Sequence, residues 1–260
     1  MTIARPILFC CLCAIVFATL EGLLKNLPSL WTQHIIVLIA IVLVYGLTIL
    51  FANWEQRPLR QFGIVGNNKS LGKVFRGVGI GLLMAVMQLV FVRMSGHYRV
   101  QFNAGLSVYN IVLNLSLYIL LGLREELAFR GYPFFSLVYS SGLWVSQLVI
   151  FSLFSLEHIA GGMNWSEAFL GPGTGALLFG LAAWKSNGIA LPVGIHIAWN
   201  FGQWCLGFKK ENGLWIAVVD KGFEKTVERH GWVSYLLIMA VAILVFYFYR
   251  PKAVASDAAP

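Results

Sequence analysis

The sequence is poor in charge. Only 12% of its 260 residues are charged, whereas 58% are hydrophobic, and the mean hydropathy is +0.76. Soluble globular domains carry roughly 25% charged residues, so a soluble two-domain enzyme is excluded. The composition predicts an all-α, polytopic membrane helical bundle of about eight transmembrane helices, with the lipid bilayer as its first partner.

Cysteine is also scarce. There are four cysteines, and three of them crowd the first apolar run, which argues against a disulfide framework or a structural zinc site. Acidic residues are few, and the net charge is +8. The basic residues lie mostly between apolar runs, so membrane topology and anionic lipid explain them, and we predict no nucleic-acid partner.

The apolar runs have the length of membrane spans. About eight of them approach the ~20 residues that cross a bilayer. They are residues 7–24, 35–54, 74–94, 106–123 with the charged stretch that follows, 143–159, 168–184, 189–207 and 233–249. We predict one structural domain, divided into N-terminal transmembrane helices (1–105), a core of polar-motif helices (106–207), an interfacial amphipathic segment (208–232), and a last transmembrane helix with a disordered tail (233–260).

Two connecting segments predict the orientation of the bundle and the interfacial segment. The basic residues between the second and third spans, together with Arg250 and Lys252, place both termini in the cytoplasm; Arg93 and Arg99 run against that rule. Within residues 214–232, Trp215, Val219, Phe223 and Val227 recur about every four residues, with charges on the other faces. This pattern predicts an amphipathic helix, either in the membrane interface or as a solvated loop helix.

The segment from Arg124 to Arg130 is the main exception to the scarcity of charge. Four of its seven residues are charged, and charges in a span are costly unless paired or facing a cavity. Glu126 and Arg130 have the i, i+4 spacing of a salt bridge, whereas Glu125 points about 100° away, without a designated partner. An unpaired buried carboxylate suits a general base; the alternative is a charged helix end at the membrane surface.

Further polar residues in later spans favour the first interpretation. His158 lies late in the fifth span, and His196 and Asn200 share one face of the seventh at i, i+4. If the fourth and fifth spans form a hairpin turning near Gly142, Glu125 and His158 both lie about 24–25 Å from the turn and face each other. His196 is only about 13 Å past its own turn, so its depth fits less well.

Three motifs carry a family resemblance. In order along the late spans they are Glu125-Glu126-x-x-x-Arg130, Phe154-x-x-x-His158 and His196-x-x-x-Asn200. Together they resemble the motifs of the CAAX-processing and bacteriocin-processing (CPBP, or Abi) intramembrane endopeptidases, over roughly residues 106–207. The resemblance implies an intramembrane peptidase of a bacterial-like inner membrane that cleaves a membrane-associated peptide or protein.

The resemblance also implies roles for these residues. Glu125 and His158 would activate the hydrolytic water, and His196 and Asn200 would stabilise the oxyanion. Glu126, Arg130 and Phe154 would support them. A zinc ion on Glu125, His158 and His196 is conceivable by ligand type, but there is no His-Glu-x-x-His motif, so we expect no obligatory metal or other cofactor.

Two other functions fit the same polar residues. One is a non-catalytic immunity or scaffold protein of the same fold. The other is a proton- or metal-coupled transporter, for which an inverted repeat would be expected; no repeat is obvious in the sequence.

Overall fold

The computed structural model describes residues 3–24, 29–209 and 213–249. Within these residues ten α-helices surround the polar motifs, and a two-stranded sheet joins two of the loops. The helices are α1 Ala4–Leu24, α2 Leu30–Trp54, α3 Ser70–Arg93, α4 Val108–Arg130, α5 Tyr132–Ser141, α6 Leu143–Ala160, α7 Trp165–Ala168, α8 Thr174–Ser186, α9 Ala190–Cys205 and α10 Glu224–Phe248. The strands are β1 Tyr98–Phe102 and β2 Trp215–Val219.

The predicted helical membrane bundle is confirmed, but the number of crossings is not. Five described helices are long and apolar enough to span a bilayer: α1, α2, α3, α6 and α10. Of the other predicted spans, α8 has 13 residues, α9 has 16, and α4 carries the charged stretch. Large apolar side chains remain exposed along the long helices, as Val42 and Val86 do, which is typical of an integral membrane protein.

One helix break differs from the predicted layout. The fourth span does not continue to a turn at Gly142, because α4 ends at Arg130 and α5 begins two residues later. The amide of Gly131 bonds to the Glu126 carbonyl, and Pro133 lies in the first turn of α5. A proline has no amide hydrogen to continue α4, but it is well tolerated at a helix start. The chain therefore changes direction directly after the charged stretch.

Close packing of α3 on α9 depends on glycine. A methyl group added at Gly77 would lie 2.3 Å from the Leu191 carbonyl oxygen, and one at Gly81 would lie 2.5 Å from the Ile195 carbonyl oxygen. Gly194 faces the Val74 carbonyl oxygen in the same way, at 2.1 Å. Small residues let membrane helices approach closely, and here they fix the helix that carries His196.

The amphipathic-helix prediction is wrong for residues 215–219. These residues form β2, which pairs antiparallel with β1 so that Tyr98 faces Val219 and Phe102 faces Trp215. An apolar residue every four positions also fits one face of a strand, and the partner strand lies more than a hundred residues away. Residues from Glu224 onward are helical, but α10 runs unbroken to Phe248, so there is no boundary near 232.

Polar contacts stabilise the two-stranded sheet, which lies outside the predicted spans. Asp220 accepts from Arg99 at 2.6 Å and lies 3.3 Å from His97. The Tyr98 hydroxyl donates to the Leu206 carbonyl oxygen at 3.0 Å, and burial raises the pKa of Tyr98 to about 12, so it stays a donor at neutral pH. The sheet is thereby fixed to the end of α9. The predicted tail, residues 252–260, and the topology residue Arg250 lie outside the described residues.

Candidate active site

The two carboxylates of α4 have different environments. Glu126 is fully buried, and its Oε1 lies 3.4 Å from Nη1 of Arg130, as the helical spacing predicts. The Glu125 side chain keeps 13% of its surface exposed and lines a cavity. Only Glu125 can therefore contact a molecule in the cavity.

Glu125 has more partners than predicted. Its Oε1 lies 3.3 Å from Nη2 of Arg124, and its Oε2 lies 3.6 Å from Nε2 of His196. Arg124 is itself buried, stacks its guanidinium 4.2 Å above the Phe17 ring, and pairs at 3.2 Å with Glu21 of α1. The prediction of an unpaired carboxylate is wrong, because helix packing places a cation from the neighbouring position and a histidine from α9 beside it.

His196 joins the two carboxylates. Its Nδ1 lies 2.8 Å from Oε1 of Glu126 and its Nε2 faces Glu125. The ring is stacked on Phe179 of α8 with the centroids 4.6 Å apart. Because an ionised carboxylate only accepts hydrogen bonds, Nδ1 carries a proton and Nε2 is the nitrogen left for chemistry.

Arg130 is held between two apolar clusters. Its side chain is fully buried, and its guanidinium lies 4.3 Å from the Phe154 ring centre and 5.3 Å from that of Phe179. Phe154 belongs to the cluster around α1, α2 and α5, and Phe179 to the cluster around α8, α9 and α10. The cation therefore lies where the two halves of the bundle meet, directly behind the carboxylates.

His158 approaches the cavity from α6. Its Nδ1 lies 2.9 Å from the Phe154 carbonyl oxygen and 2.9 Å from Oε2 of Glu157, so its Nε2 is the nitrogen available to the cavity. Among the described residues no hydrogen bond or ion pair joins His158 to Glu125 directly, although both line the same cavity. A molecule bound between them would contact both side chains.

Asn200 completes the polar wall. It lies one helical turn beyond His196 on α9, and its Oδ1 accepts a hydrogen bond from Nζ of Lys209 at 3.1 Å. With the oxygen engaged in this way, the amide hydrogens of Asn200 are directed away from Lys209. Asn200 lines the same cavity as His196 and Glu125.

The cavity has a volume of about 440 Å³, within the usual range for small-ligand sites. Glu125, His158, His196 and Asn200 all line it, and so does Phe154, whereas Glu126 and Arg130 lie behind its wall. The remaining walls include six aromatic side chains, those of Tyr118, Phe179, Trp199, Phe208, Trp232 and Tyr235, together with aliphatic and polar residues. The arrangement brings the Glu125 carboxylate, two histidines and the Asn200 amide to one cavity, with the Glu126 carboxylate behind its wall.

Residues 107–202 match the family described as type II CAAX prenyl endopeptidase Rce1-like. The matched segment is somewhat more than a third of the chain and contains all three polar motifs. This segment is similar to the CPBP/CAAX proteases, the family that the three motifs resemble. No curated protein matches the chain significantly.

The family match indicates the coarse class of the protein. Together with the apolar helices, it supports an integral membrane protein of the CAAX-protease type, which meets lipid and a peptide or protein substrate. The fold class predicted from the apolar runs is confirmed, and the match over residues 107–202 supports the family that the three motifs resemble.

The side chains proposed as zinc ligands do not form a ligand cluster. In the parts of the chain that the structure describes, no three His, Cys, Asp or Glu side chains are grouped so that they could hold a metal ion. The arrangement does not fit the proposed metal triad, and we derive no step through a metal.

Three charged or amide residues that line the cavity, Glu167, Gln203 and Lys209, were not predicted as site residues. Lys209 contacts Asn200, and Gln203 lines the cavity from α9. Gln203 had a detectable signal, because it follows His196 by seven residues and Asn200 by three and so shares their helix face. Lys209 had none, because it reaches the cavity only after the chain turns at the end of α9.

Proposed function

We propose that this protein is an intramembrane endopeptidase that hydrolyses a peptide bond in a membrane-associated peptide or protein. The observation that carries the proposal is that Glu125, His158, His196 and Asn200 line one cavity. In a CAAX protease family member, that set supplies a base and hydrogen-bond donors. The family description makes a prenylated CAAX tail the first substrate to test.

In the proposed reaction, Glu125 takes a proton from a water held between it and His158. The water oxygen attacks the carbonyl carbon of the scissile peptide, and a tetrahedral oxyanion forms. When the carbon–nitrogen bond breaks, the proton held by Glu125 passes to the leaving nitrogen. One water is consumed: its second proton passes from the new carboxyl group to the amine, so the products are a carboxylate and an ammonium group.

Two side chains of α9 are proposed to stabilise the oxyanion. Asn200 would donate from its amide, and His196 would donate from Nε2. A histidine that donates from both nitrogens is an imidazolium, and Glu125 and Glu126 provide the counter-charge on either side of the ring. Donors fixed in advance toward developing negative charge account for a large share of the rate enhancement in acyl transfer.

Replacing Asn200 with Ala should lower kcat for cleavage by about 10²-fold, the usual cost of one oxyanion donor. The test uses the purified protein in detergent with a farnesylated fluorogenic peptide that ends in a CAAX sequence, with products identified by mass spectrometry. Asn114→Ala is the matched control, since Asn114 is a buried amide of α4 that bonds to the Asn110 carbonyl oxygen away from the cavity. Equal activities of the two variants would contradict the proposed donor role.

We propose that the reaction needs no metal. Activity should therefore be unchanged after prolonged incubation with EDTA or 1,10-phenanthroline. The fluorogenic assay measures this directly, with a zinc peptidase treated in parallel as a positive control. Loss of activity that zinc alone restores would overturn this part of the proposal.

The cellular placement follows from the charge distribution rather than from the site. We propose a bacterial-like inner membrane with both termini in the cytoplasm, because the basic segment between α2 and α3 favours the cytoplasmic side. Labelling of single cysteines introduced in the α2–α3 segment and in the α1–α2 loop would test this orientation in whole cells.

A further inference from the structure

The face of α9 that carries His196 and Asn200 has a third polar residue, Gln203. It lies three residues beyond Asn200, is only 9% exposed, and lines the cavity. The proposed reaction gives it no task. A buried amide beside the reacting groups needs an explanation, because its polar atoms have left water.

A chain of hydrogen bonds fixes how this amide is oriented. The Gly231 carbonyl oxygen can only accept, and Nε2 of Gln88 donates to it at 3.3 Å. The Gln88 Oε1 is therefore turned toward α9, where it accepts from Nε2 of Gln203. Each amide group has a single oxygen. The Gly231 carbonyl oxygen therefore determines the orientation of both the Gln88 amide and the Gln203 amide.

This series of hydrogen bonds does not use the side-chain oxygen of Gln203. Oε1 of Gln203 accepts no hydrogen bond from any donor in the described ranges 3–24, 29–209 and 213–249. Nearby cavity groups are donors, namely the Asn200 amide and the Lys209 ammonium. Gln203 thus contributes an uncharged acceptor next to a wall of donors. An extended peptide main chain has both kinds of group to match, carbonyl oxygens and N–H groups.

We propose that Oε1 of Gln203 forms a substrate subsite that accepts a hydrogen bond from a main-chain N–H of the bound peptide. This inference rests on the proposed function. Along α9, Gln203 lies about 5 Å beyond Asn200 and about 10 Å beyond His196, at 1.5 Å per residue. An extended peptide advances about 3.3 Å per residue, so the N–H bound by Gln203 is one to three residues from the scissile carbonyl.

The first test compares two substitutions that break the same buried bond. Gln203→Leu should raise KM for the farnesylated CAAX peptide about 5- to 10-fold, with kcat nearly unchanged, as for a lost hydrogen bond used in binding. Gln88→Leu also removes the contact between α3 and α9 and frees the Gln203 amide to turn, but it keeps the Gln203 oxygen, so its KM should rise less than that of Gln203→Leu, by no more than about threefold. Equal increases of KM in the two variants would show that Gln203 is only structural and would overturn the proposal.

The second test identifies the partner atom and does not depend on cleavage. Binding is measured by fluorescence in the Glu125→Gln background, with the probe peptide N-methylated in turn at each of the three main-chain nitrogens nearest the scissile bond. One N-methyl peptide should bind about 5- to 10-fold more weakly when Gln203 is present, and this penalty should be absent in Gln203→Leu.

The outcomes separate this inference from the proposed function. If the wild-type protein cleaves the peptide but no N-methyl penalty depends on Gln203, the inference fails and the peptidase function stands. If peptides bind with the predicted dependence but are never cleaved, the subsite stands and the proposed reaction fails. If no peptide binds at all, both are overturned.

Discussion

Replacing Glu125 with Gln is expected to lower kcat/KM for peptide hydrolysis by about 10³-fold or more, at the upper end of the range for a general base. The amide is nearly the same size as the carboxylate but cannot take a proton from water. Glu126 cannot take over this task, because it is fully buried behind the cavity wall and engaged with Arg130 and His196. The fluorogenic peptide assay measures the loss.

The same substitution should leave the fold intact. Glu125 keeps part of its side chain exposed to the cavity, and Arg124 retains its second partner, Glu21, at 3.2 Å. No buried cation is therefore left without a carboxylate, which is the usual reason that removing one member of an ion pair destabilises a protein. Thermal unfolding in detergent should shift by no more than about 2 °C, which corresponds to a small change in the free energy of unfolding.

Glu21→Gln is the matched control for this experiment. It removes the other carboxylate of Arg124 by the same chemical change, but Glu21 does not line the cavity. Its activity should remain within about twofold of the wild-type activity, since Arg124 keeps Glu125 as a partner and the Glu21 side chain is itself exposed. Full activity in Glu125→Gln would rule out the proposed base, whatever the control does.

The fold class was predictable because the signal is repeated along the whole chain. Apolar runs of span length recur in the sequence, and most of them are helices in the structure. The two strands were not predictable, since Trp215 to Val219 acquire their strand character from pairing with residues 98–102. Local periodicity contains no information about a partner so distant in sequence.

The polar residues that share the cavity were predictable as a group, but their geometry was only partly so. Polar side chains within apolar spans identified Glu125, His158, His196 and Asn200, and the structure places all four at one cavity. Counting along a hairpin favoured His158 as the neighbour of Glu125 and gave His196 the wrong depth. In the structure His196 is the histidine that lies beside Glu125, at 3.6 Å.

The error in depth has a local cause. The count assumed that α4 continues to Gly142, whereas it ends at Arg130. Measured from the actual helix ends, Glu125 is about 7–8 Å from the end of α4 and His196 is about 9 Å from the start of α9, at 1.5 Å per residue.

Those two helix ends meet at one turn. The amide of Ile189 donates to the Gly63 carbonyl oxygen at 3.0 Å, and a methyl group on Gly131 would lie 3.0 Å from Cγ2 of Ile64. The Gly63–Ile64 turn thus sets α4 and α9 at equal depth. Nothing in the sequence near the motifs indicates that this distant turn determines their alignment.

Replacing Arg130 with Met should be the most destabilising single change at the site. The substitution leaves Glu126 fully buried with only His196 beside it, and it removes the guanidinium from the faces of Phe154 and Phe179. Breaking a buried ion pair by removing one partner costs about 3–5 kcal/mol. Unfolding in detergent, followed by circular dichroism, should show this loss, and peptide cleavage should fall as well because Glu126 orients His196.

The double variant Arg130→Met with Glu126→Gln separates charge burial from packing. Without either charge, no ion remains unpaired, and replacing a buried pair by neutral groups of similar volume is often close to neutral. The glutamine Oε1 can still accept from Nδ1 of His196. The double variant should therefore regain most of the lost stability and part of the activity. If it is as unstable as Arg130→Met alone, then the contacts of Arg130 with the two aromatic rings, rather than its pairing with Glu126, hold the two apolar clusters together.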